Sequence, residues 1–121
     1  MIDHVSFEVS DLARSAAFYD AMFFALGVRR IAETETAIAY GVTGKTFWIK
    51  VVPGLSAPGS GHVAFAARGK AAVEAAHEAA LAAGGADAGA PGPRPEHGRM
   101  YYAGYLRDPD GFRVELVSGS S

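Results

Sequence analysis

"GHVAFAA", Gly61 to Ala67, and "DHVSFEV", Asp3 to Val9, share one wording: a histidine, a valine, a small residue and a phenylalanine in succession. In the N-terminal copy apolar and polar residues alternate, which marks a half-buried strand with Val5, Phe7 and Val9 on one face and His4, Ser6 and Glu8 on the other. A single histidine so placed has an ordinary reading, a hydrogen-bonded side chain at the rim of a core. Two in matching contexts, half a chain apart, predict a duplicated module.

The flanking sequence replays the same order twice. After the first strand, Ser10 and Asp11 offer capping groups to "LARSAAFYDAMFFAL", a run of helix formers that stops at Gly27. "TAIAYGV" and "TFWIKVV" then read as strands joined in a hairpin through Gly44, and "PGLSAPGSG", residues 53–61, breaks regular structure and marks a seam. In the second half "HVAFAA" is a strand and "KAAVEAAHEAALAAGG" an Ala-rich helix closing on two glycines. "APGPRPEHGR" reads as a loop, and "MYYAGYL" with "FRVELV" as a closing hairpin. Both halves are strand, helix and at least two more strands. The expectation is one α+β domain over residues 1–121, with modules at about 1–53 and 61–118 and only a Gly-Ser tail unstructured.

Composition narrows the function. A chain of 121 residues, half of them hydrophobic, has room for one core. Its net charge of −2 carries no basic footprint for nucleic acid. No apolar run reaches the roughly 20 residues of a membrane span, and the N-terminus lacks the pattern of a secretory signal, so the expected compartment is the cytoplasm. With no cysteine, disulfides and thiolate chemistry are excluded, and any metal must rest on the four histidines, the thirteen carboxylates or a tyrosine.

Aligning the last strands of the two halves adds chemistry. "FWIKVV" from Phe47 matches "FRVELV" from Phe112 without a gap, which sets Lys50 opposite Glu115. Alternation then groups Trp48, Lys50 and Val52 on one face and Arg113, Glu115 and Val117 on its counterpart, while Phe47, Ile49, Phe112 and Val114 turn to the helices. The turn "DPDG" has the signature of a type I turn with a glycine bulge, which pairs Asp108 with Phe112 and sets Tyr105 across from Glu115. Tyr101 and Ala103 share that face; a slip of one residue would substitute Tyr102 and Gly104. The offset that aligns the last strands also matches Tyr40 with Tyr105.

Four segments in this order, "IDHVSFEV", "SAAFYDAMFFALG", "GHVAFAA" and "DPDGFRVEL", resemble the vicinal oxygen chelate superfamily, which holds glyoxalase I, extradiol dioxygenases, fosfomycin-resistance thiol transferases and bleomycin-binding proteins. The resemblance covers nearly the whole chain. It implies two βαβββ modules whose mixed sheets pair into a half-open trough around a divalent metal, with His4, His62 and Glu115 as ligands. Two imidazoles and a carboxylate suit Fe, Mn, Zn or Ni and leave positions open for substrate oxygens. The metal would act as a Lewis acid on a small substrate held through adjacent oxygens.

Lys50 departs from glyoxalase I, whose first module supplies a carboxylate at that place. A lysine does not ligate at neutral pH, so a dioxygenase-like or transferase-like reaction is expected instead. Lys50 either stabilises an anionic substrate, pairs with Glu115 in a metal-free pocket, or extends to the trough mouth. Tyr105 is a second candidate for the chemistry. Trp48, Tyr101, Arg113 and Tyr40 are candidates for substrate contact, with core packing as the alternative for the aromatics and a solvated strand end for the arginine. His97 lies in the loop that could cover the opening, and His77, in the middle of a helix, has no assigned role. The expected assembly is a homodimer, with two modules meeting either within a chain or between subunits. The rival reading is a metal-free dimer that sequesters a planar or basic ligand.

Overall fold

The computed structural model describes residues 2–55 and 61–120; residues 56–60 of the seam, and the last residue of the tail, lie outside the described residues. Ten elements follow in the order β1 (Val5–Val9), α1 (Leu12–Leu26), β2 (Arg29–Glu33), β3 (Ala37–Gly41), β4 (Phe47–Val51), β5 (His62–Ala66), α2 (Lys70–Ala82), β6 (Ala86–Pro93), β7 (Tyr102–Arg107) and β8 (Arg113–Ser118). Each half is a βαβββ unit with its own four-stranded sheet, ordered β1-β4-β3-β2 and β5-β8-β7-β6. The first strand of each unit runs parallel to the last, and the remaining pairs are antiparallel. No helix among the described residues is long and apolar enough to cross a membrane.

Local chemistry explains the elements. The Asp11 side chain accepts from the Arg14 amide and caps α1, and Gly27, at φ 74°, closes it in the left-handed conformation that a side chain disfavours. α1 buries Ser15, Ala16, Phe18, Tyr19, Met22 and Phe23, a stripe at helical spacing, and α2 buries Val73, Ala76, His77 and Ala80. The small alanines let the two helices pack against each other.

Two strands are absent from the sequence reading. β2, "RRIAE", carries too many charges to show an alternating pattern. β6, "ADAGAPGP", overlaps the segment read as a loop, because its glycines and prolines carry turn signals. It forms because it is an edge strand, where one side of the backbone needs no partner and where register shifts around Gly89 absorb the irregularity.

The two units meet through their helix-side faces. Phe7 of β1 stacks on Phe112 at 4.2 Å, and Phe65 of β5 lies edge-on to Phe23 at 4.9 Å and to Phe47 at 5.1 Å. These rings belong to one core that includes both helices and one face of each sheet. The other face of each sheet therefore points away from this core. β1 and β5 are left as edges, unpaired on their outer sides.

The Asp-Pro-Asp-Gly turn locks the joint. The Asp108 amide donates to Phe112 O and the Gly111 amide to Asp108 O, with Gly111 at φ 91°, which is the three-residue loop expected from the sequence. Buried Asp108 accepts from the Tyr19 hydroxyl of α1 at 2.6 Å and from the amides of Asp110 and Phe112. Asp110 accepts from the Ser10 amide and from the Ser10 and Arg14 side chains at the start of α1.

Asp108→Ala leaves a buried hydroxyl and two amides without an acceptor and is expected to cost about 2–4 kcal/mol, measured by denaturant unfolding. Burial raises the Asp108 carboxyl above its ordinary pKa, against the lowering effect of its hydrogen bonds. The folded state thus binds this proton more tightly than the unfolded state. The stability it contributes is full in acid and is lost as pH rises through the folded pKa. The melting temperature of wild type relative to Asp108→Asn should therefore shift in favour of wild type between pH 7 and pH 4.

Candidate functional site

The polar cluster lies on the outward face of the second sheet. Parallel pairing sets His62 beside Arg113 and Ala64 beside Glu115, and the small Ala64 lets the imidazole lean along the sheet. His62 Nε2 comes to 3.1 Å from Glu115 Oε1. Tyr101, at the entry to β7, donates its hydroxyl to Glu115 Oε2. Glu115 is only 3% exposed, and these two partners engage both its oxygens, as a buried carboxylate requires. The hydrogen bond to Glu115, with burial adding, pushes the Tyr101 hydroxyl up to about 12, so it holds its proton across the physiological range.

Tyr105 stands directly across from Glu115, in the register expected from the turn, and Tyr102 and Gly104 face α2. Its ring fits because Gly89 is its partner on β6; a β-carbon there would lie 3.0 Å from Tyr105 Cδ2. The Arg113 guanidinium lies 5.0 Å from the Tyr105 ring centre and that of Arg94 5.6 Å. Buried His77 ties α2 to this strand, its Nε2 lying 3.2 Å from Tyr105 O and 3.2 Å from Asp87 Oδ1. The His97 ring lies 5.2 Å from that of Tyr101, at the margin of the cluster. A cavity of about 240 Å³, lined by Phe7, Gly61, His62, Val63 and Phe112, opens beside His62 at the β5 edge. A more apolar one of about 290 Å³ lies at the other end of β5, by Phe65 and Ala66.

His4, Trp48 and Lys50 are elsewhere. His4 immediately precedes β1, with Nδ1 2.7 Å from Asp3 Oδ1, and Trp48 and Lys50 register with Ser6 and Glu8 on the outward face of the first sheet. One chain therefore does not gather His4, His62 and Glu115, and no three potential metal-ligating groups cluster among the described residues. Nor does Lys50 pair with Glu115 within the chain; the ring nitrogen beside Glu115 is that of His62.

Tyr40 corrects the alignment. β3 and β4 pair Lys50 with Ala37 and Tyr40 with Phe47, so the counterpart of Tyr105 is Ala37, and Tyr40 corresponds to Asp108. The β3–β4 connection is longer than the "DPDG" turn, and an ungapped offset cannot carry through it. Tyr40 is buried on the helix side, its hydroxyl donating to Asp20 at 2.7 Å, and does not reach either outward face. Arg94 was missed because its segment reads as a loop; its only signal was a basic residue among turn formers.

This architecture has close counterparts. The model of the Glyoxalase/Bleomycin resistance protein/Dioxygenase superfamily matches residues 1–116. The chain belongs to this superfamily. It is similar to a glyoxalase/bleomycin resistance protein from Albidiferax ferrireducens T118, at 31% identity and TM-score 0.83 over 95% of each chain. It also resembles a glyoxalase-related enzyme from Fulvimarina pelagi, at 27% identity and TM-score 0.76 over 94% of this chain and 85% of that one. The superfamily fold extends to the fosfomycin resistance protein FosX from Mesorhizobium loti, at 20% identity and TM-score 0.72 over 98% and 92% of the two chains. No curated protein matches the sequence significantly.

The Tyr101 hydrogen bond supplies a direct check. Glu115→Gln removes the negative charge that holds the phenol proton, so Tyr101 should ionise nearer the ordinary value of about 10. Carbon-13 resonances of labelled tyrosine, followed through an alkaline titration, will report it. An unchanged titration would place the two side chains apart in solution.

Proposed function

We propose that the chain is a divalent-metal-dependent enzyme of this superfamily that acts as a symmetric homodimer, each site combining His62 and Glu115 of one subunit with His4 of the partner subunit. The observation that carries the reading is the division of the donors. His62 and Glu115 lie together at the β5 edge, whereas His4 lies beside the β1 edge, in the other sheet. Both edges lack a strand partner, and the cavities along β5 leave room for a second copy to cover it. Unpaired edges of this kind are commonly covered by another chain.

Two imidazoles and one carboxylate are a donor set suited to Fe, Mn, Zn or Ni. Such an ion supplies Lewis acidity toward adjacent oxygens of a small substrate. The chain's own groups do the rest. Tyr101 holds a proton at its hydroxyl beside Glu115, Tyr105 and Arg113 flank the carboxylate, and Trp48 and Lys50 of the partner subunit form the facing wall. With lysine in place of a first-module carboxylate, the chemistry fits dioxygenase-like or transferase-like turnover better than that of glyoxalase I.

The test mixes His4→Ala and Glu115→Ala proteins and lets subunits exchange. A hybrid dimer regains one complete site, so metal content measured after desalting should recover to about a quarter of the wild-type value for random exchange. No recovery despite proven exchange would overturn the site shared between subunits. Lys50→Glu should tighten divalent binding in calorimetry by adding an oxygen ligand, and unchanged affinity would remove Lys50 from the trough.

A second reading, a metal-free dimeric binding protein, draws on one observation: both Glu115 oxygens already have protein partners. Wild-type protein purified without a histidine tag that neither carries metal nor gains thermal stability from Mn, Fe, Ni, Co or Zn would favour it.

A further inference from the structure

The face around Glu115 carries more positive charge than its carboxylate uses. Register sets His62, Arg113 and Arg107 side by side across β5, β8 and β7, so two arginines stand directly opposite each other on adjacent strands. Like charges so placed oppose pairing unless something neutralises them. None of Arg94, Arg107 and Arg113 has a carboxylate partner among the described residues, and Glu115 is engaged by His62 and Tyr101.

The hydrogen bonding is equally incomplete. Arg107 donates to Gly111 O, and Arg94 donates to Ala90 O at 2.8 Å and to Pro93 O, which anchors both guanidiniums without neutralising them. The Arg113 side chain has no hydrogen bond among the described residues, and its Nε is buried without a partner. Contact with the Tyr105 ring orients this guanidinium yet leaves its in-plane donors free, and a buried donor left unmade is costly to the fold. An arginine held in this way presents the planar fork that matches an oxyanion.

We propose that Arg113 and Arg94, set around Tyr105, form an anion-binding subsite next to His62 and Glu115, and that the substrate is a small oxyanion, a carboxylate, phosphonate or phosphate. This rests on the proposed function for the identity of the site but not on metal, because both arginines belong to one sheet of one chain. Arg113 is the specificity-determining residue, and Arg94 adds charge from the β6–β7 connection. Tyr105 spaces the two guanidiniums and bounds the body of the substrate.

The test is a titration of the chelator-treated full-length protein with methylphosphonate, inorganic phosphate and acetate, and with 1,2-propanediol as the uncharged control. Phosphorus-31 line width follows the first two and tyrosine fluorescence follows all four. At least one anion should bind in the millimolar range or tighter, and the diol should not. The tightest of the three assigns the headgroup. Arg113→Gln should weaken binding at least tenfold, Arg94→Gln severalfold, and Arg113→Lys should restore part of the loss, with circular dichroism confirming each fold. Should Arg113→Gln not fold, the Arg94→Gln and Arg113→Lys titrations decide the matter. Binding that is unaltered by these substitutions, or absent for all three anions, would overturn the proposal. Failure of the metal reading shows separately, in metal content, and leaves the chelator-treated titration intact.

Discussion

The ring of Phe7 lies 4.2 Å from that of Phe112 and within 17° of parallel, and this contact joins the two sheets by the faces that also cover the helices. Burying those faces against each other is the dominant favourable term, since aromatic rings remove large apolar areas from water. Once it is made, the polar faces have no choice of direction. Each is the face of its sheet turned away from the core that both units share. The partition of candidate ligands between the two sheets follows from this one constraint. So does the exposure of β1 and β5 as free edges, each next to a histidine.

The turn at Asp108 to Gly111 makes the arrangement specific. Apolar packing alone tolerates sliding, whereas a buried carboxylate bonded to Tyr19, with Asp110 accepting from Ser10 just before α1, does not. The same turn sets the register of β7 on β8, and therefore puts Tyr105 across from Glu115. Joint and site share a hairpin, so a disturbance of the joint reaches the site through a single strand.

Within the site, two opposing tendencies are visible. Glu115 is buried and fully satisfied, as a ligand held ready or as a structural carboxylate would be. Arg113 is partly buried and unsatisfied, a state that folding alone does not favour. Local inconsistency of the second kind is where function is expected to lie. Tyr101, with its hydroxyl on Glu115, and Tyr105, with a glycine cleared beneath its ring, show how closely the second sheet is fitted around these two groups.

The sequence by itself determined the repeat, both helices and the caps of the first, six of the eight strands, and the register of the last hairpin. Each of these is written in local periodicity or in the chemistry of a few adjacent residues, such as the glycine at the end of α1 or the "DPDG" turn. It also brought Glu115, Tyr101 and Tyr105 to one face, because alternation along a strand and a known turn suffice for that, while His62 joined Glu115 only through the resemblance to the superfamily. Tertiary structure decided the rest. β2 and β6 exist because neighbouring strands offer them partners, not because of their own composition. Tyr40 went to the core because a longer loop broke the ungapped alignment. Arg94 joined the site from a segment with no regular pattern. Above all, whether His4 meets His62 in one chain depends on which faces of two sheets are buried together. That is a property of long-range packing between segments far apart in the chain, and no local pattern encodes it.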